Sequence, residues 1–467
     1  MESGVVGGSS QQYSLPFNAE RSVNLHAVLD KSGKKPASLY SRPGNRIFTN
    51  VGAGNGRVGF EAANGRVFSV SGAEVYELFA DGTYTLRGNL LTSSGNLTAA
   101  ENGFQLAICD GTDLYILTYA TNVLVRVVNP NLPSAFSVVF IDGYFIVNRS
   151  LNSGIFQISA PYDGLSWAAL DFATAESSPD SLIRVLNVFG QLWLFGDTST
   201  EIWSNTGAAA FPFQRLNSSA SLAVGTVAPY SVLELDNTAF WVGKDTNGAG
   251  IVYRAEGFSP LRISTEAIEL RLQSAPDISS IKAMAYQEAG HIYYILTGGG
   301  METALVYDVS IKLWCEWSYL NSFGQYELPL TNYLFYAFGK TLALDKNSGK
   351  IYQQSQQFFS DNGEEIARDR IFTHIFDNGN PFLIKNLTIN FETGVGNSNL
   401  PDPKVMLYLS NDGGRTFYTY YECALGKIGE FLSRVVFWRL GRHRQCTFRV
   451  RVTDAVKCVI TGGSFNE

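Results

Sequence analysis

The stretch Gln191-Leu192-Trp193-Leu194-Phe195-Gly196, entered from the turn Phe189-Gly190, reads as one strand. An apolar and aromatic run this short, bounded by glycine, suits a strand with both faces covered. The same figure recurs on both sides. Gly65-Arg66-Val67-Phe68-Ser69-Val70, Asp113-Leu114-Tyr115-Ile116-Leu117 and Gly143-Tyr144-Phe145-Ile146-Val147 precede it. Ala239-Phe240-Trp241-Val242, His291-Ile292-Tyr293-Tyr294-Ile295 and Thr341-Leu342-Ala343-Leu344 follow. Starts near 65, 113, 143, 190, 238, 291 and 341 give steps of 48, 30, 47, 48, 53 and 50 residues. One small sheet leaves apolar surface bare, and sheets repeated at this period stack around an axis as propeller blades. Six or seven blades fit, and the 30-residue step marks an abbreviated blade or a missed strand. Such a scaffold serves many functions, so the repeat gives shape before activity.

Outward from the repeat, residues 1–20 are rich in Gly, Ser and Gln and read as a flexible arm. Arg21-Ser22-Val23-Asn24-Leu25 and Leu39-Tyr40-Ser41 read as strands, the second running into the turn Arg42-Pro43-Gly44. An N-terminal strand closing the last blade removes exposed sheet edges, so residues 21–365 are assigned to the propeller. Tyr162 to Asp180 reads as an insertion or long interblade loop, and Leu261 to Leu272 as a site for one short helix. From residue 366 the pattern changes. Leu383 to Phe391 alternates, and Val405 to Ser410 runs into the hairpin turn Asn411-Asp412-Gly413-Gly414. With Arg434–Leu440, Cys446–Val452 and Val456–Ile460, residues 366–467 read as an antiparallel β-sandwich-like domain. The whole is all-β. Within Thr447 to Val452, Phe448, Val450 and Val452 share the inward face, and Arg449 and Arg451 the opposite one.

Composition narrows the function. Charged residues are only 16% of the chain, which suits a surface covered in an assembly. The net charge of −7 excludes a generally basic nucleic-acid binder. Yet Lys427 to Lys457 holds eight Lys or Arg against Glu430 and Asp454, leaving 27 basic and 40 acidic residues elsewhere. Five widely spaced cysteines without CxxC indicate neither a zinc site nor a disulfide framework, and reduced thiols are expected. Met1 to Ser10 lacks the features of a secretory signal, and no apolar run has membrane-spanning length. His26, His291, His374 and His443 are scattered without metal spacing. Asp345 to Lys350 and Asp245 to Gly248 read as plain turns rather than calcium loops. There is no nucleophile-elbow, phosphate-loop or dinucleotide motif. Asn411 to Phe417 has the spacing of the Asp-box turn of sialidase-type propellers, but it occurs once and outside the repeat. No enzyme, cofactor or metal is expected.

Several stretches together resemble a known family. They are Asn187 to Gly196 with Thr200 to Gly207, Arg370 to Asp377 leading into Leu387 to Val395, and Leu407 to Gly413. Arg434 to Arg442, followed by Phe448 to Val452, and the N-terminal pair Arg21–Leu25 and Leu39–Gly44 complete the set. In this order they resemble the tail hub, or nozzle, proteins of short-tailed phages, also called packaged-DNA stabilisation proteins, of the kind found in phage P22. The resemblance implies a non-enzymatic virion protein of the phage tail, made in the bacterial host cytoplasm. It implies a homo-hexameric ring beneath the portal–adaptor stack that continues the DNA channel. A distal plug or needle would retain the genome, tailspikes or fibres would mount nearby, and double-stranded DNA would make transient, non-specific contact. A mixed or negative channel wall would let DNA slide, because cations that neutralise phosphates hold on to them.

The alternative is a carbohydrate-binding or carbohydrate-active propeller, which requires acids and aromatics to converge at one mouth. A cellular propeller used for protein interaction is a third reading. For the hub reading, Arg439, Arg442, Arg444, Arg449 and Arg451 are the candidate contacts to the adaptor or a neighbouring subunit, with a solvated basic face as the plain alternative.

Overall fold

The computed structural model describes residues 4–30, 36–149, 153–175, 180–216, 221–372 and 374–466. The chain is a β-propeller followed by a β-sandwich. Among the described residues, seven antiparallel sheets follow in chain order, within 56–89, 98–126, 137–174, 182–222, 225–262, 282–317 and 331–355. The last sheet takes its fourth strand from the other end of the chain. Gly44–Asn50 pairs antiparallel with Lys350–Ser355, from Gly44 opposite Ser355 to Asn50 opposite Lys350.

The apolar runs explain the stacking. Each sheet shares an apolar cluster with the next: Phe68 with Leu117, Ile116 with Phe145, Phe156 with Leu194, Trp193 with Trp241, Phe240 with Tyr294, and Ile295 with Ala343. A last cluster joins Leu342, Leu344 and Ile351 to Val67, Tyr76 and Leu78 and closes the ring. Each fully buried Leu, Val, Ile or Phe in these clusters contributes roughly 1.5–3 kcal/mol relative to exposure.

The 30-residue step is a slip of phase. The quoted runs fall on second strands, which begin at Val67, Tyr144, Gln191, Thr238, His291 and Lys340. Asp113-Leu114 instead opens the third strand of its sheet, whose second strand begins at Gln105. With Gln105 in place, steps of 38 and 39 residues replace 48 and 30. The expected long loop from Tyr162 also carries structure: Phe172–Thr174 is the fourth strand of the third sheet. Its stretch 176–179 lies outside the described residues. The short helix is Glu266–Gln273.

The sandwich draws on both ends of the chain. One sheet runs Arg21–Val23, Arg368–Ile371, Gln445–Val452, Lys404–Ser410, Tyr418–Ala424. The other runs Leu25–Leu29, Ala37–Ser41, Val459–Asn466, Phe382–Phe391, Val435–His443. Between them, Leu25 and Leu39 pack with Leu387, Leu407, Phe437, Phe448, Val450 and Ile460. Two expectations are corrected here. The propeller does not take residues from 21 onward: Leu25–Ser41 is a sandwich hairpin, and the closing strand is Gly44–Asn50. The N-terminal residues are not a free arm either. Val5 is buried in the sandwich core, and the Ser9 amide donates to the Trp314 carbonyl at 2.7 Å.

Candidate functional site: a buried polar seam and a basic edge strand

The strand Arg21–Val23 fuses the domains. Val23 pairs in parallel with Glu316 on the sixth propeller sheet and antiparallel with Asp369 on the sandwich. One continuous sheet therefore crosses the boundary. Its register places charges where they are buried. The Glu316 carboxylate, fully buried, accepts from Arg21 Nε at 3.1 Å and Nη2 at 2.5 Å. Arg271 Nη1 lies 2.6 Å from Oε2, the oxygen that also takes Arg21 Nη2, and Thr303 donates to it at 2.9 Å. Burial alone raises the Glu316 carboxyl, but the charges of Arg21 and Arg271 outweigh it and hold it well below the usual carboxylate range.

Beside it, Asp369 accepts from Arg451 Nε at 2.7 Å and Nη2 at 2.6 Å, and from the Tyr326 hydroxyl. Burial again opposes ionisation of Asp369, and Arg451 restores it. The Arg21 guanidinium lies 5.2 Å from the centre of the Tyr326 ring, so one tyrosine bridges both ion pairs. Arg42 adds a third pair, 2.5 Å from Asp361, and its Nε donates to Asn24 Oδ1. Arg368 and Arg370 are among the largest fully buried side chains. Arg368 donates to Ser41 Oγ and to the Phe359 and Asp454 carbonyls. Arg370 holds the N-terminal segment through the Val5 and Gly8 carbonyls. A charge stranded in such a place costs about 3–5 kcal/mol, so the seam fixes how the two domains meet.

The five predicted arginines divide. Arg449 and Arg451 stand two apart on Gln445–Val452, facing away from buried Phe448, Val450 and Val452 as expected. Arg451 is paired within the chain with Asp369, with a side chain only 12% exposed. Arg449 is clamped between the Tyr408 and Phe417 rings, at 4.3 and 4.7 Å. Arg439, Arg442 and Arg444 are exposed on and just past Val435–His443. Arg444 Nη1 donates to the Gly379 carbonyl at 2.8 Å. The strand bulges where Arg439 and Leu440 face Lys385, and Arg439 adopts φ 60°. Val435–His443 is the last strand of its sheet, and the preceding loop exposes Ile428, Phe431 and Leu432, the last 95% exposed. Trp438 joins them on the surface.

Sequence reasoning missed Glu316 and Asp369. Only the charged triplet Arg368-Asp369-Arg370 inside a strand pattern could have pointed to the seam. The remaining motifs are structural. Asp412 accepts from the Thr416 and Arg415 amides and the Ser410 hydroxyl, which fixes the Asp-box-like turn. Asp345 and Asp245 each close a turn through the amide two residues on. A surface cavity of about 710 Å³ is lined by Phe189, Trp193, Phe258 and Tyr307, and its Asp236 is paired with Arg254 at 3.0 Å. Among the described residues, no group of His, Cys, Asp or Glu is placed to hold a metal ion. Among the described residues, no helix is long and apolar enough to cross a membrane.

The fold is similar to solved propellers at low identity. The β-propeller domain of Myceliophteria thermophila Cps50 (Swd1) shares 8% identity over 67% of this chain and 99% of that one, with a TM-score of 0.40. The N-terminal domain of Nup159 shares 10% over 72% and 98%, with a TM-score of 0.41. No curated protein matches the chain. Two family descriptions do, one for each domain. Residues 1–358 match "Bacteriophage P22 Gp10, beta-propeller", and residues 368–466 match "Bacteriophage P22 Gp10, beta-sandwich". With both halves matched in order, the chain belongs to the bacteriophage P22 Gp10 family.

Proposed function

We propose that this chain is the hub, or nozzle, subunit of a short-tailed phage tail, six copies forming a ring that continues the DNA channel below the portal–adaptor complex. The observation that carries the reading is the match of both domains, in order, to the phage P22 Gp10 families. The welded seam supports it, since a conduit wall needs subunits whose two domains do not swing. On this reading the ring holds the packaged genome behind a distal plug or needle, mounts spikes or fibres, and performs no catalysis. The exposed basic edge supplies the contacts. Arg439, Arg442 and Arg444 are exposed along Val435–His443 and just past it, Trp438 is bare on the same strand, and Ile428, Phe431 and Leu432 are bare in the loop before it, exposed apolar groups such as partners cover. The excess of acids outside residues 427–457 gives those cations a complementary surface on a neighbouring copy.

Electron microscopy of the purified protein or of virion tails tests the reading. The expected result is a hollow six-fold ring at the distal tail. A stable monomer that binds or cleaves glycans overturns it. Changing Arg439, Arg442 and Arg444 together to Glu should reduce assembled rings about ten-fold or more at physiological salt. Rings at the wild-type level would remove these three residues from the interface and leave the hub reading standing.

A further inference from the structure

Among the described residues, the centre of the propeller holds a cation without a counter-ion. The first strands of the seven sheets touch one another in a closed circle and so line the axis. Arg184 lies on one of them, Leu182–Val188. Its charge is within electrostatic reach of groups from three other sheets: Cys109 of the second, Tyr230 of the fifth and Tyr333 of the seventh. Only a position on the axis is within reach of sheets so distributed around the ring. Among the described residues, the guanidinium makes no ion pair, and its Nε and Nη1 are buried without a hydrogen-bond partner. The residue as a whole is half-buried.

A local irregularity serves the same place. The first strand of the fifth sheet is broken into Gly225–Thr226 and Leu233–Leu235, with the helical turn Pro229–Ser231 between them. That turn is pinned: Ser231 Oγ donates to the Ala228 carbonyl, and the Tyr294 hydroxyl donates to the Ser231 carbonyl at 2.6 Å. It pushes Tyr230 across the axis. The ring lies 5.5 Å from the Arg184 guanidinium and 5.8 Å from the Phe136 ring of the third sheet. Its hydroxyl stands 3.5 Å from where a Cβ would sit on Gly111 of the second sheet. Among the described residues, neither the Tyr230 nor the Tyr333 hydroxyl has a hydrogen-bond partner. One end of the channel thus gathers the Arg184 guanidinium and two phenol donors, with Arg57 and Asp110 also within electrostatic reach of Tyr230; among the described residues no carboxylate is bonded to Arg184, Tyr230 or Tyr333.

We propose that this axial site binds a small tetrahedral oxyanion, of the phosphate or sulfate class, on Arg184, with the Tyr230 and Tyr333 hydroxyls as further donors. A guanidinium in a low-dielectric channel is costly without a counter-charge, and an oxyanion offsets that cost with charge-assisted hydrogen bonds. Duplex DNA is the other source of phosphate oxygens, and the test separates the two. The site is independent of oligomeric state and of the surface proposed for assembly.

Calorimetric titration of the purified full chain with sodium phosphate and sodium sulfate, at ionic strength fixed with sodium chloride, tests it. Saturable one-to-one binding is expected, weakened about ten-fold or more in Arg184→Met and several-fold in Tyr333→Phe. Tyr333→Phe keeps the ring and serves as the readout if Arg184→Met does not fold. A duplex oligonucleotide without terminal phosphate should give no Arg184-dependent heat. Absence of saturable phosphate or sulfate binding overturns the proposal. So does equal affinity in wild type and both variants, or binding of the duplex that Arg184→Met abolishes.

Discussion

His26 shows how one residue can tie stability to pH. It lies on the sandwich strand Leu25–Leu29 with its ring 5.5 Å from His291 and 5.6 Å from Tyr293 on the propeller. Tyr40 and Gln356 complete its surroundings, and Asp308 is engaged by His291 at 2.6 Å. Burial, then the neighbouring His291, push the His26 imidazole down to about 3. The folded protein therefore keeps His26 neutral where the unfolded chain already binds a proton. This contribution is complete above the unfolded value near 6.5 and is lost progressively as pH falls toward 3. Lowering the pH from 7 to 5 should cost about 2 kcal/mol through this group. Urea unfolding at several pH values would show it, and His26→Gln should flatten that part of the curve. An unchanged slope in the variant would assign the pH dependence elsewhere.

At the scale of elements, Gly44–Asn50 carries the closure of the ring. A Cβ on Gly44 would stand 2.5 Å from the Phe358 and Ser360 carbonyl oxygens. Gly44→Ala should therefore shift the start of that strand and cost about 1–3 kcal/mol, as overpacking does. Hydrogen exchange should quicken for the Lys350–Ser355 amides; unchanged exchange would mean that closure does not depend on this approach. The strands themselves were readable in the sequence, because Gln191–Gly196 and its counterparts carry their own apolar signature. Their phase was less so. Asp113-Leu114-Tyr115 and Gly143-Tyr144-Phe145 look alike, yet one opens a third strand and the other a second. Pairing across a sheet, and not the residues of one run, decides which.

At the scale of the whole molecule, the seam predicts a single cooperative unfolding transition by scanning calorimetry. Glu316→Gln would leave Arg21 and Arg271 buried without their counter-ion, at a cost of about 3–5 kcal/mol. The transition should drop in temperature and broaden or split. A variant that melts like the wild type would show that the domains are held by other contacts. None of this was legible in the chain alone. Arg21 and Glu316 are 295 residues apart, and Arg42 and Asp361 are 319 apart. A periodic pattern reports which face of a strand is buried, but not which distant carboxylate waits there. The basic cluster near the C-terminus was visible as a cluster. The fate of Arg451 depended on Asp369, 82 residues away.

The N-terminal strands have a further consequence, for synthesis. The first fifty residues supply the strand that joins the domains, two strands of the sandwich and the last strand of the propeller. Their partners lie at Lys350–Ser355, Arg368–Ile371 and Val459–Asn466. Emerging from the ribosome at about 5–20 residues per second, the chain holds these edges open for tens of seconds. Neither domain can be completed as it is made. Val459–Asn466 meets Ala37–Ser41 only after the long intervening chain has emerged, and that sheet of the sandwich closes only then.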